Sequence, residues 1–250
     1  MGSILLRACL IACRFLTRLP LPDPGVVDEP EVGRSALFYP LVGLLIGAPL
    51  WLAAVMLDGA PVVVAAVLVL CLWVWVTGGL HLDGLGDSAD GWLGGIGSRE
   101  RALEIMRDPR AGAMAVIAIG LLLLTKWSAL QALLTMGHAA YLLWIPLLAR
   151  AVLVLALLTT PYARPQGMAS ASVAYLPRPW ARIAIAAALL VVLMLGGAAG
   201  LLAIATALGL FLGWRRLVME RLNGFTGDTA GALVELAEGL VLIVLVLVPL

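Results

Sequence analysis

Seven apolar segments, at 36–57, 61–80, 113–134, 140–160, 183–195, 201–214 and 230–250, run through this chain, separated either by turns of three to five residues or by stretches of 15, 22 and 32 residues. Most approach the roughly 20 residues that a helix needs to cross the hydrocarbon core of a bilayer. Lipid offers no hydrogen-bond partner to the backbone, so segments of this kind fold as helices. A hydrophobic content of 63% and a mean hydropathy of +1.08 lie outside the range of soluble domains. The expected fold is all-α: one integral membrane domain over residues 1–250, a polytopic bundle of about seven transmembrane helices. The two short segments flanking GGAAG at 196–200 form either a hairpin or one long bent helix, and in the second case the count is six.

The basic residues then set an orientation. If the segments pair as hairpins, one side of the membrane receives nearly all the arginines, from Arg7, Arg14 and Arg18 through Arg99 and Arg101 to Arg215, Arg216 and Arg221. The other side has only short turns around Asp58, His138 and 196–200. The positive-inside rule makes the charged side cytoplasmic. The first residues do not read as a signal peptide, because Arg7 and Arg14 interrupt the apolar run and no small-residue cleavage site follows. They read as an interfacial helix, ended by Pro20, Pro22 and Pro24 ahead of an acidic loop. A net charge of +1 gives no basic excess for nucleic acid. Cys9, Cys13 and Cys71 read as packing residues.

Against this apolar background the stretch 78–112, GGLHLDGLGDSADGWLGGIGSRERALEIMRDPRAG, carries six of the 15 carboxylates of a chain that is only 12% charged. Spacings of four and three residues put Asp83, Asp87 and Asp90 on one helical face. Carboxylates gathered this way repel one another and suit a hard cation such as Mg²⁺, which takes one or two of them together with water and phosphate oxygens. Arg99, Arg101, Arg107 and Arg110 follow as forked phosphate donors. His81 adjoins Asp83 and is placed to serve as ligand, proton carrier or donor to phosphate. The pattern reads as a diphosphate-handling site, beside the plainer reading of a solvated loop between two spans.

A second acidic group opens the last segment. Asp228 stands in a Gly-Asp pair, with Glu235 and Glu238 on the same face of the helix. Carboxylates within a span are costly, so these three are candidates to complete the metal site or to act as a general base near a substrate hydroxyl. The alternative is that Asp228 caps the helix while the glutamates pair with Lys126 or Arg150, the two basic residues inside spans. Gly43 and Gly47 read as a close helix crossing.

Read together, GGLHLDGLGDSADGW, RALEIMRDPRAG and GFTGDTAGALVEL, with FLTRLPLP and FYPLVGLLIG before them, resemble the cobalamin-5′-phosphate synthase family over most of the chain. Pro109, Ala113 and Asn223 depart from that pattern, whereas the aspartates do not. The resemblance implies a Mg²⁺-dependent membrane phosphotransferase of the last steps of adenosylcobalamin synthesis. It would join adenosylcobinamide-GDP to α-ribazole or its 5′-phosphate and release GMP. Asp83, Asp87 and Asp90 would hold the metal, with His81 and Asp228 catalytic. Glu104, Arg107, Arg110, Lys126, Glu235 and Glu238 would contact substrate. Since no side chain stands out as an activated nucleophile, in-line attack by the ribose 5′-hydroxyl is the expected mechanism. A homo-oligomer is compatible with this reading. The rivals are a CDP-alcohol phosphotransferase, although Leu85 and Gly86 replace the Ala-Arg pair of that pattern, and an ion-coupled transporter.

Overall fold

The computed structural model describes residues 2–164, 167 and 169–248. Met1 and the end of the last apolar segment, Pro249 and Leu250, lie outside the described residues. Among the described residues, regular structure is helical, apart from an isolated bridge between Tyr162 and Phe225. The helices are α1 (Gly2–Leu16), α2 (Glu29–Ser35), α3 (Tyr39–Met56), α4 (Val62–Thr77), α5 (Leu80–Gly94) and α6 (Arg99–Ile105). They continue with α7 (Ala113–Thr135), α8 (Ile145–Thr159), α9 (Ser170–Ala174), α10 (Arg178–Leu222) and α11 (Gly227–Leu247).

Five of these segments are long and apolar enough to cross a membrane: 29–56, 113–135, 139–159, 178–222 and 227–247. The pair α4 and α5 is a sixth candidate, bent by 88° at its break. The bend has a local cause. Gly78 and Gly79 both adopt left-handed backbone, at φ +64° and +69°, which only glycine enters freely. Expected hairpin and long-helix alternatives for 183–214 are also resolved. Gly197, at φ +54°, ψ −125°, interrupts α10. A methyl group on Gly200 would fall 3.1 Å from the carbonyl carbon of Val192, although eight residues of continuous helix would separate them by about 12 Å. The chain therefore reverses at Gly197, and the two arms account for the difference between six candidates and seven apolar segments.

Small residues bring the spans together. Gly43 and Gly47 sit directly on the backbone of residues 142–147, the close crossing expected of α3. Around α8, which is the most enclosed span, Ile46, Leu50, Leu133, Trp144, Leu148 and Leu233 form a buried core. α10 by contrast presents Leu190, Met194, Leu201 and Leu212 outward. α1 lies against this bundle through Leu16, and Arg7 pairs with Glu31 at 2.5 Å. The cysteines are free: Cys13 is buried, Cys9 half-buried and Cys71 exposed, so packing accounts for the first two only.

Candidate active site

The carboxylates meet where α5 crosses α11. No side chain fits at the crossing. A methyl group on Gly84 would lie 2.7 Å from the carbonyl oxygen of Asp228, and one on Gly231 would lie 3.2 Å from the Cα of His81. Contact at backbone distance sets Asp83 and Asp87, one turn apart on α5, opposite Asp228 at the start of α11.

The start of α11 is built to hold that position. Asn223 (φ +55°) and Gly224 (φ +151°) turn the chain out of α10. Phe225 N–H donates to the carbonyl of Pro161 at 2.9 Å, and Ala163 N–H donates back to Phe225 at 2.8 Å. Thr226 and Thr229 then close a reciprocal capping box, with bonds of 3.2 and 2.8 Å. The bridge carries Arg164 to the site, where its guanidinium donates to Asp228 Oδ2 at 2.8 Å. Thr226 Oγ1 donates to the same oxygen at 3.3 Å, so neither bond uses Oδ1.

Electrostatically the site is short of positive charge. Asp87 is half-buried and feels Asp83, Asp228 and Asp90 as repelling neighbours, against one attracting partner, Arg164. Asp90 is spent differently: its carboxylate accepts from Gly112 N–H at 2.6 Å and Ala115 N–H at 3.0 Å, holding the first turn of α7. Among the described residues, no three acidic, histidine or cysteine side chains converge closely enough to grip one ion by themselves. The chemistry still fits a hard divalent cation, which needs only one or two carboxylates if water and phosphate complete its shell. Asp83 and Asp87 could serve as that pair.

A cavity of about 80 Å³ opens onto Asp83 and Asp228, while Asp87 lies outside its lining. His81, Phe15, Tyr39 and Leu157 line it with them. It has room for a phosphate or a few waters at ~30 Å³ each, and not for a large molecule.

Behind the cavity lies a buried polar chain. Lys126 Nζ donates to Glu235 and to Glu238, both at 2.6 Å, and Arg150 bridges Glu238 and His81. The five residues are at most 4% exposed. Two cations face two carboxylates, which supports the pairing alternative for Lys126, Glu235 and Glu238; none of the three lines the cavity. The Arg150 contact also fixes the ring of His81. Arginine can only donate, so Nδ1, 3.3 Å from its NH2 group, accepts and the ring proton resides on Nε2.

The remaining expected contacts lie apart from the cavity. Glu104 pairs with Arg101 at 2.8 Å, both exposed. Arg110 pairs with Asp108 at 2.7 Å, holding that carboxyl down at about 2, and Arg107 is exposed. Arg164 is the cation the sequence reading passed over. Its one signal was a polar PYARPQG stretch directly after an apolar segment, and its partner lies 64 residues away. Phe15, whose ring stacks on Tyr39 at 6.0 Å, is equally remote in sequence from the acids.

Comparison with known proteins follows this geometry. A family model described as cobalamin-5-phosphate synthase matches residues 8–246. A protein from Ectopseudomonas mendocina (strain ymp), named adenosylcobinamide-GDP ribazoletransferase, is 51% identical over 240 residues, covering 95% of this chain and 97% of the relative. Proteins of the same name from Pseudomonas putida (strain W619) and Pseudomonas aeruginosa (strain PAO1) are each 50% identical. They cover 91% and 97% of this chain and 93% and 98% of their own lengths. No solved structure matches the chain.

Proposed function

The chain belongs to the cobalamin-5-phosphate synthase family, and on that premise we propose that it transfers the corrinoid phosphoryl group of adenosylcobinamide-GDP to α-ribazole or its 5′-phosphate, releasing GMP. The observation that carries this reading is the near-complete, half-identical match to proteins named for that reaction. The opposed carboxylates of α5 and α11 support it, because an excess of carboxylate suits the divalent cation that accompanies a diphosphate.

One part of the expected mechanism gives way. A cobalamin 5′-phosphate product already carries phosphate on its 5′ oxygen, so the attacking group is a ring hydroxyl of the ribose and not the 5′-hydroxyl. Its oxygen forms a bond to the corrinoid-side phosphorus, the bridging P–O bond breaks, and GMP leaves with the bridging oxygen. Asp228 is the base. Arg164 and Thr226 occupy Oδ2, which leaves Oδ1 to take the hydroxyl proton. His81 acts as a donor: with its proton on Nε2, it hydrogen-bonds a phosphate oxygen as charge grows there. A Mg²⁺ ion held by Asp83 and Asp87 would supply neutralising charge to the diphosphate. Asp90 contributes by fixing α7 against α5. The same reading has the catalytic face in the cytoplasm of a bacterium, supported by the arginines gathered on that side of the helices.

The test is nucleotide release by the purified protein in liposomes, given adenosylcobinamide-GDP and α-ribazole. GMP appearing only when acceptor and Mg²⁺ are both present is the expected result. GMP release that proceeds unchanged without acceptor would make the protein a hydrolase instead.

A further inference from the structure

A second recess, of about 450 Å³, lies between the end of α5, the 95–98 loop and the end of α10. Its character differs from that of the first cavity. Arg99, Arg221, Glu220 and Asn223 supply polar groups, and Trp92 and the Gly97 backbone complete the wall. Trp92 is five residues beyond Asp87 on one helix, about 7.5 Å along its axis, so recess and aspartates lie within the span of one nucleotide.

The polar groups here are under-used. Arg99 makes one long bond to a described residue, NH2 to the Ala163 carbonyl at 3.5 Å, and its Nε is buried without a partner among the described residues. A buried donor left unpaired calls for an acceptor that arrives with a ligand. Among the described residues Glu220 pairs with Arg216 alone, through Oε1 at 2.8 Å, in a pair 82% and 59% exposed. Such a pair holds weakly and exchanges partners readily. Arg221 lies over the Trp92 ring at 5.8 Å, a flat cationic surface on which a purine can stack.

We propose that this recess receives the guanine nucleotide of the donor, and GMP after transfer. The inference rests on the reaction proposed above. Guanine offers two adjacent donors, N1–H and the N2 amine, and a carboxylate is the side chain that accepts both at once. Glu220 reads that edge, Arg221 stacks on the base, and Arg99, on the side toward Arg164, meets the phosphate nearest guanosine. Adenine lacks this donor pair and inosine lacks the amine, so the recess selects guanine.

The experiment is equilibrium dialysis of GMP and of inosine monophosphate against the full chain in lipid nanodiscs, for wild type, Glu220→Gln and Arg99→Gln, each preparation also being assayed for GMP release from adenosylcobinamide-GDP. Wild type is expected to bind GMP about tenfold more tightly than the inosine nucleotide. Glu220→Gln brings the two near equality, whereas Arg99→Gln weakens both alike. Equal binding of the two nucleotides by wild type, or an unchanged preference in Glu220→Gln, overturns the proposal, including in a preparation that turns over normally. Guanine preference abolished by Glu220→Gln in a protein that releases no GMP would leave the subsite standing and sink the reaction.

Discussion

His81, Asp90 and Asp228 each carry a side chain whose type alone is ambiguous and whose neighbours decide its work. His81 has Arg150 on Nδ1, so in the proposed mechanism it enters the cavity as a donor and not as a base. Replacement by Gln keeps an N–H near the Nε2 position. We expect His81→Gln to retain much of the turnover, and His81→Ala to lose about 10²–10³-fold in kcat, the loss found when a donor to developing negative charge is removed. Steady-state GMP release measures both; a Gln variant as inactive as Ala would return His81 to the role of base. Asp90 was legible as one of three acids on a face, but its work was not, because its partners Gly112 and Ala115 follow 22 and 25 residues later. Asp228 was legible both as helix cap and as candidate base. The structure gives capping to Thr226 instead.

Helices were easier to read than the joints between them. Apolar length marks α3, α7, α8 and α11 directly, whereas the 88° bend before α5 is announced only by two glycines in a chain that has 27. The α5–α11 crossing is the joint on which the site depends. Gly84→Ala would set a methyl 2.7 Å from the Asp228 carbonyl oxygen, and backbone cannot yield as a flexible side chain does. Overpacking of this kind destabilises by about 1–3 kcal/mol, and moving Asp228 by an ångström costs on the order of 10²-fold in rate. We therefore expect Gly84→Ala to remain folded, with a modest loss of Tm and a large loss of kcat. Gly120→Ala on α7, where the added methyl meets open space, serves as the control and should lose neither. Full activity in Gly84→Ala would mean that the two helices do not need their close approach.

The whole molecule is asymmetric across the membrane. α3, α7 and α11 begin, and α4 and α8 end, on the side that carries the aspartates and most arginines, while the opposite side carries the turns at Asp58, His138 and Gly197. In a variant freed of Cys9, Cys13 and Cys71, Asp58→Cys is expected to react with an impermeant maleimide on intact cells, and Arg101→Cys only after permeabilisation. The reverse pattern would invert the orientation. Asymmetry of charge was legible in the sequence because it follows from hairpin counting. The convergence of α5, α11 and the 161–164 segment was not, since it depends on pairings between residues more than sixty positions apart. That convergence is tested by GMP release from Asp83→Asn, Asp87→Asn, Asp228→Asn and Asp90→Asn in one lipid preparation, each checked for folding by thermal melting. The first three are expected to keep wild-type melting and lose about 10²–10³-fold in rate. Asp90→Asn, which places an amide donor against a backbone N–H, should instead melt lower and lose less activity. An Asp228→Asn variant with the wild-type rate, beside an inactive, normally melting Asp90→Asn, would contradict that convergence and return the site to the three aspartates of α5 alone.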